Sequence, residues 1–170
     1  TNRGTHFLYG QSYNNKLYIE NSILDGYYQS NTGFTIFGSF VGGELSGNAF
    51  GGAETIINTA FVNLDGSGEA AVYGYGSTPT TIFNSYFSGY EIGIAAEVLS
   101  NAAVYGNNKI NSCTVGIDIG GELDITGTIG FSACTTCINL AGKLGAYYGA
   151  AIHETTSTTD IALGTTDSLS

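Results

Sequence analysis

Two consecutive rows decide the fold: NAAVYGNNKINSCTVGIDIGG, residues 101–121, and ELDITGTIGFSACTTCINLAG, residues 122–142. Placing the second row under the first aligns residues of the same character: Val104 with Ile125, Gly106 with Gly127, Ile110 with Phe131, Cys113 with Cys134, and Ile117 with Ile138. Within each row, apolar residues alternate with small or polar ones and Gly or Asn marks the bends, as in short strands. A repeat of this length without a helical segment predicts a β-solenoid.

The preceding sequence follows the same frame with turns of different length. An offset of 26 residues places Phe61 on Phe87, an offset of 23 places Phe87 on Ile110, and the closing rows place Ile110 on Phe131. We therefore predict an all-β chain of stacked coils, each with about three short strands and roughly 21–26 residues. Successive coils would lie about 4.8 Å apart, joined by parallel backbone hydrogen bonds.

The repeat predicts two columns of equivalent residues along the stack, one buried and one at the bends. Phe61 and Phe87 belong to a buried column, whereas Asn58, Asn84 and Asn107 fall at a bend. There Asn tolerates a left-handed backbone, and its side-chain amide can form hydrogen bonds along the stack.

We expect the solenoid to occupy residues 1–150, with residues 1–16 an irregular lead-in. Residues 151–170 are rich in Thr and Ser and are expected to form a C-terminal cap or a linker, since an open solenoid end exposes unpaired strand edges.

Composition excludes several functions. The 170 residues include 26 Gly and only 11% charged residues, with a net charge of −10. The four basic residues are scattered, so nucleic-acid binding is not expected, because phosphates are bound by clustered Lys and Arg. The sequence has no run of 18 apolar residues, so we also predict no insertion into a membrane.

Two segments resemble the repeats of a known superfamily. TTIFNSYFSGYEIGI (residues 80–94) and NNKINSCTVGIDIGG (residues 107–121) are similar to the right-handed parallel β-helix of pectin-lyase-like proteins. The low charge and abundant Tyr, Gly, Thr and Ser are most like the bacteriophage tailspikes and tail fibres of that group. The resemblance implies a homotrimer on a virion, outside the cell, that binds a host-surface polysaccharide. The fold is shared by proteins of unrelated function, so a structural fibre spacer and a bacterial surface adhesin stay open as alternatives.

A polysaccharide depolymerase is the main alternative function. Glycoside hydrolases use two carboxylates about 5–9 Å apart, and Glu97 and Glu122 are the candidate catalytic pair because they share a local sequence context. The regular offset, however, places Asn101 below Glu122 and Lys143 above it, which predicts a solvated ion pair instead. The catalytic residues of the lyase branches have no counterpart here, since Arg3 is the only arginine. The sequence therefore favours binding over catalysis.

Tyrosine is the more suggestive signal for a ligand. The chain has 12 Tyr and no Trp, and exposed aromatic rings pack on sugar faces while their hydroxyls form hydrogen bonds. The same property suits contacts between subunits of a trimer, and the sequence slightly favours that role over ligand binding. The candidate ligand-binding residues are Tyr27, Tyr28, Tyr73, Tyr75, Tyr86 and Tyr90.

The cysteines are predicted to be structural. Cys113 and Cys134 occupy the same place in consecutive rows, which favours a column of small buried side chains; a disulfide between coils is the alternative. Cys134 and Cys137 form one C-x-x-C pair, whereas a zinc site needs further ligands. We predict no metal site and no cofactor.

Overall fold

The computed structural model describes residues 8–10, 17–24, 27–30, 34–42, 44–47, 54–64, 69–74, 79–96, 101–155 and 159–163. All regular elements in these ranges are strands, and none of the described chain forms a helix able to cross a membrane. The strands are β1 Leu8–Gly10, β2 Leu17–Glu20, β3 Ile23–Leu24, β4 Tyr27–Ser30, β5 Phe34–Phe37, β6 Phe40–Val41, β7 Glu44–Gly47, β8 Glu54–Ile57, β9 Ala60–Val62, β10 Ala70–Gly74, β11 Thr80–Phe83, β12 Tyr86–Ser88, β13 Ile92–Ala96, β14 Ala102–Asn111, β15 Val115–Ile119, β16 Glu122–Ser132, β17 Thr136–Leu140, β18 Lys143–Thr155 and β19 Thr159–Leu163.

These strands stack in parallel as a β-solenoid, which confirms the predicted fold. One sheet has 8 strands in the order β1-β4-β7-β10-β13-β15-β17-β19, so each strand pairs with its equivalent in the next coil. The other sheet has 11 strands, nine along its main path and two, β16 and β18, that continue from β14, and it contains the first two strands of each early coil. A coil such as β11-β12-β13 has three strands, as predicted, but from β14 onward the first two merge into one long strand.

Coil length varies more than the sequence indicated. Hydrogen-bonded neighbours on adjacent coils are 26 residues apart at Thr59 and Ser85, and 21 apart at Asn101 and Glu122. These offsets confirm the predicted frame for the middle and closing coils. The first described coils are shorter, since Leu17 pairs with Phe34, an offset of 17 residues.

The core is a set of continuous columns. Phe61, Phe87, Ile110 and Phe131 are in register on successive coils and are almost fully buried, as predicted. The rings of Phe61 and Phe87 are stacked, with centroids 5.1 Å apart and planes 10° from parallel. Each such side chain contributes about 1.5–3 kcal/mol when it is buried from water.

The bend column differs from the prediction at one position. Asn58 and Asn84 are in the left-handed region, each with φ of 49°, as expected. The next residue in this column is Gly106, with φ of 73°, and not Asn107. The reason is an additional residue in this coil, since the offset is 22 before the bend and 23 after it. Asn107 instead donates its backbone N–H to Asn84 Oδ1 at 2.7 Å.

Buried hydroxyl groups hold the bend. Ser85 Oγ donates to the carbonyl of Phe83 at 3.0 Å and accepts the N–H of Thr59 on the preceding coil at 3.2 Å. Ser85 N–H in turn donates to Asn108 Oδ1 at 2.8 Å. These bonds satisfy polar groups that the bend would otherwise leave unpaired inside the solenoid. The corner is therefore fixed, and the residues on either side of it point outward in register.

A glycine inside the solenoid sets the distance between two walls. A methyl group on Gly116 would lie 2.5 Å from Phe131 Cε1 and 2.6 Å from the carbonyl oxygen of Cys137. Such distances leave no room for a side chain. Gly116 therefore lets the β15 wall approach the aromatic column.

Strand pairing extends beyond the boundaries drawn from composition. β1, at Leu8–Gly10, lies within the expected lead-in and pairs with β4. Near the other end, β18 continues to Thr155 and β19, at Thr159–Leu163, pairs in parallel with β17. The change of composition at residue 151 thus does not coincide with a change in the strand pairing.

Candidate ligand-binding site

Outward-facing apolar side chains form a continuous strip on both sides of the Asn and Gly bends, and we call it the corner strip. One column precedes the bends and the other follows them, and within each column the residues are in register on consecutive coils. The corner strip comprises Phe37, Ile57, Phe83 and Tyr105 in the first column, and Ile23, Phe40, Ala60 and Tyr86 in the second.

Strand alternation explains why these residues face outward. Ile56 and Ile82 point into the solenoid and are fully buried, so Ile57 and Phe83 point to the opposite side. Phe83 is 40% exposed, whereas Phe61, Phe87 and Phe131 are buried. Its ring lies against Gly106 of the next coil, where a Cβ would be 3.2 Å from Phe83 Cε2. The backbone of Gly106 thus covers one side of the ring, while another part of the ring remains accessible.

A column of threonines runs beside the first apolar column. Thr35, Thr55 and Thr81 are in register, each two residues before a member of the corner strip, and each is half-buried. Since residues two apart on a strand share a face, their hydroxyl groups line the same surface as the rings of Phe37 and Phe83. The surface therefore combines apolar and hydroxyl groups in parallel columns.

The corner strip contains no charged side chain, but charges stand at its ends. Glu20 is in register with Phe37 at the N-terminal end of the first column. Lys109 is in register with Tyr86 at the C-terminal end of the second. Both are exposed. The coil with the additional residue at Asn107 is thus also the coil where the apolar character of the second column ends.

The structure distributes the described candidate tyrosines over different environments. Tyr86 belongs to the corner strip and is half-buried. Tyr73 is half-buried on the other sheet, in register with Ala95. Tyr90 is 2% exposed and is part of the core, so its ring presents no face to solvent.

The other candidate tyrosines lie where side chains are not described. Tyr27 and Tyr28 are in β4, in register with Glu44 and Leu45. Tyr75 lies outside the described residues. Their assignment as ligand-binding residues stays a prediction.

Of the two candidate carboxylates, the structure describes Glu122. Lys143 Nζ lies 2.7 Å from Glu122 Oε2, which confirms the predicted ion pair, and Glu122 N–H donates to Asn101 Oδ1 at 2.9 Å. The hydrogen bond from Lys143 to Glu122 raises the pKa of the lysine, and the charge of that carboxylate adds to the effect. Glu97 lies outside the described residues, so a catalytic pair stays a prediction.

The cysteines are buried thiols, as predicted. None of Cys113, Cys134 and Cys137 forms a disulfide, so the disulfide alternative is not adopted. Burial raises the pKa of the Cys113 thiol to about 11, from an ordinary value of 9.0. Among the described residues, no group of three or more His, Cys, Asp or Glu side chains is placed to hold a metal ion.

Sequence reasoning missed most of the corner strip. Phe37, Ile57 and Phe83 close the segments TIF, TII and TIF, each directly before a Gly or Asn at a bend. That recurring Thr-apolar-apolar pattern was the available signal. It is hidden because the last residue of each segment looks like another core residue unless the alternation is counted from the buried Ile.

No protein-family model, curated protein or solved structure matches this chain. What is established is the fold, an all-β parallel solenoid.

Proposed function

We propose that this protein is an attachment solenoid of the tailspike or tail-fibre kind, which binds a host-surface polysaccharide through the corner strip. The observation that carries the proposal is the register of uncharged, partly exposed apolar and aromatic side chains on consecutive coils, from Phe37 through Ile57 and Phe83 to Tyr105. Isolated apolar residues on a surface need no explanation, but a contiguous patch marks an interaction site.

The chemistry of the corner strip suits a sugar. One face of a pyranose ring carries mainly C–H groups, which pack on an aromatic side chain, and its edge carries hydroxyls. Phe83 and Tyr86 supply the aromatic surfaces, and Thr81 supplies a hydroxyl that both donates and accepts. A rigid strand scaffold holds these groups in place before the ligand arrives, which lowers the entropy cost of binding.

A homotrimer located on a virion, outside the cell, belongs to the same proposal. It is supported by the sequence resemblance and by the charge-poor surface, with 11% charged residues. In a trimer, part of the exposed apolar surface would lie between subunits; Ile23, the 85% exposed N-terminal member of the second column, is the foremost candidate for such a contact, which would leave Phe83 and Tyr86 for the ligand. Light scattering coupled to size-exclusion chromatography measures the molar mass directly, and a monomer would contradict the trimer.

A depolymerase has less support. Glu122 is bound to Lys143, and its neighbours in the stack are Asn101 and Lys143; the carboxylate of Asp124, two residues along the same strand, lies beside the same ion pair. A structural spacer or a bacterial adhesin would share the fold, but the spacer would not need a ligand-binding strip.

Retention on immobilised polysaccharides of defined composition tests the proposal. We expect the protein to be retained, without release of new reducing ends, and Phe83→Ala to weaken binding by about tenfold, as expected for a central aromatic contact. Leu64→Ala is the matched control, because Leu64 is also exposed, at 58%, but lies outside the corner strip.

Two outcomes would contradict the proposal. Equal loss of binding in the Phe83 and Leu64 variants would remove the corner strip from the site. Release of reducing ends that is lost in Glu122→Gln would show a depolymerase instead of a binding module.

A further inference from the structure

We infer that the ligand of the corner strip is an uncharged, linear polysaccharide whose chain runs along the solenoid axis, across the coils. This inference names the ligand class and its direction, and it rests on the proposed attachment function. It is carried by three features of the surface: the direction in which the chemistry repeats, the charge of the strip and the length of the strip.

The surface repeats its chemistry along the axis and not along a strand. Along β11 the outward residues are Thr81 and then Phe83, which differ in kind. Along the stack, Thr81 is preceded by Thr55, and Phe83 by Ile57. A polymer with a repeating unit meets repeating partners only if it lies parallel to these columns. Coils are about 4.8 Å apart, which is close to the length of one extended sugar unit.

The apolar column and the threonine column would contact different parts of each sugar unit. The apolar column offers Phe37, Ile57 and Phe83 to ring faces, while the threonine column offers Thr55 and Thr81 to the hydroxyls at the ring edge. A linear chain presents the same face and edge at each repeat. A branched chain would place a substituent over one of the two columns.

Charge excludes an acidic polysaccharide. A carboxylate or sulfate laid on the corner strip would lose water without gaining a cationic partner, because the strip has no charged member and Lys109 stands only at one end. The net charge of −10 opposes the approach of a polyanion as well. A neutral chain meets neither penalty.

The strip has a finite length. Its first column extends from Phe37 over three coil steps to Tyr105, a span of about 14 Å at the usual strand spacing. Glu20 ends this column on one side, and the additional residue at Asn107 shifts the corner on the other. About three or four sugar units would therefore fill the strip.

Calorimetry with size-graded oligosaccharides tests the inference. The neutral probes are linear oligomers of two to eight units from β-1,4-glucan, β-1,3-glucan, β-1,4-mannan and chitin, and the acidic probes are oligogalacturonate and oligoalginate of the same lengths. We expect affinity for at least one neutral series to rise with each unit up to about four and then to level off. We expect no binding of the acidic series.

Two substitutions test the threonine column and the charge at the end of the corner strip separately. Thr55→Val keeps the side-chain shape but removes the hydroxyl, and it should weaken binding of the four-unit oligomer several-fold. Lys109→Gln changes a charge outside the corner strip and should leave neutral-sugar affinity unchanged. The Lys109 variant is thus the matched control for a charge-independent site.

Each of the remaining outcomes contradicts either this inference or the proposed function as well. Preference for the acidic series, or affinity that does not depend on oligomer length, overturns this inference and leaves polysaccharide attachment standing. Absence of binding to every probe overturns the inference and the proposed function together. Self-association that Phe83→Ser abolishes, without sugar binding, would assign the corner strip to a contact between copies of the chain.

Discussion

Phe87 and Phe83 lie in the same coil, one in the core and the other on the corner strip, so truncating each ring to alanine should affect stability differently. Phe87 is fully buried, and its ring stacks on Phe61 at 5.1 Å. Phe87→Ala should lower the free energy of unfolding by about 3–5 kcal/mol, because the lost apolar contacts leave a cavity between rigid strands. About 0.5–1.5 kcal/mol of this loss reflects the ring–ring contact.

The matched control is Phe83→Ala, four residues earlier in the same coil. The two substitutions delete the same atoms, but Phe83 faces outward and is 40% exposed. Its loss should change stability by roughly 1 kcal/mol or less, as expected for a partly exposed site. Its effect should instead appear in sugar binding.

Urea unfolding followed by circular dichroism gives the free energies, and thermal unfolding gives a second measure. For a chain of this size about 2–4 °C of melting temperature corresponds to 1 kcal/mol, so Phe87→Ala should melt roughly 6–20 °C lower. Equal destabilisation by the two variants would refute the assignment of one ring to the core and the other to the surface. The same would follow if Phe87→Ala cost less than about 1 kcal/mol.

Two further predictions test the inside of the solenoid. Gly116→Ala should lower the free energy of unfolding in urea by about 1–3 kcal/mol, because the methyl group would overlap Phe131 of the aromatic column. Gly130→Ala is the control and should be near neutral, since no atom lies closer than 3.9 Å to its Cβ. Similar effects of the two substitutions would contradict the packing of β15. The pKa of the Cys113 thiol is raised from 9.0 to about 11 by burial, so the folded state retains its proton longer than the unfolded state, and stability should be complete below pH 9.0 and fall as pH rises towards about 11. Comparison of urea midpoints of the wild type and Cys113→Ala across this pH range isolates the contribution, and an equal decline in both proteins would show that another group is responsible.

The sequence predicted the coil repeat because every coil has the same requirements for burial and for turning. Every coil must bury an apolar residue at the Phe61–Phe87 column and must turn at the Asn58–Asn84 column, so both columns leave a periodic trace. The prediction failed at Asn107 because one added residue in a bend is invisible to a count of offsets. The strand register and the φ of 73° show that Gly106 takes the left-handed position.

The candidate site was harder to predict than the fold. Tyrosine was a reasonable signal for sugar binding, yet it led to Tyr90, which is buried, as well as to Tyr86 on the strip. Composition cannot tell which face of a strand a ring occupies. Phe83 was overlooked because phenylalanine in a repeat is expected in the core.

The sequence by itself thus determined that this protein is a β-solenoid, and it determined the main buried column, since burial repeats with every coil. The tertiary structure alone decided which outward side chains become neighbours. Phe37, Ile57, Phe83 and Tyr105 are about twenty or more residues apart in the chain and meet only through strand stacking. A surface column depends on the length of every intervening turn, and those lengths are set by how each bend satisfies its own backbone hydrogen bonds.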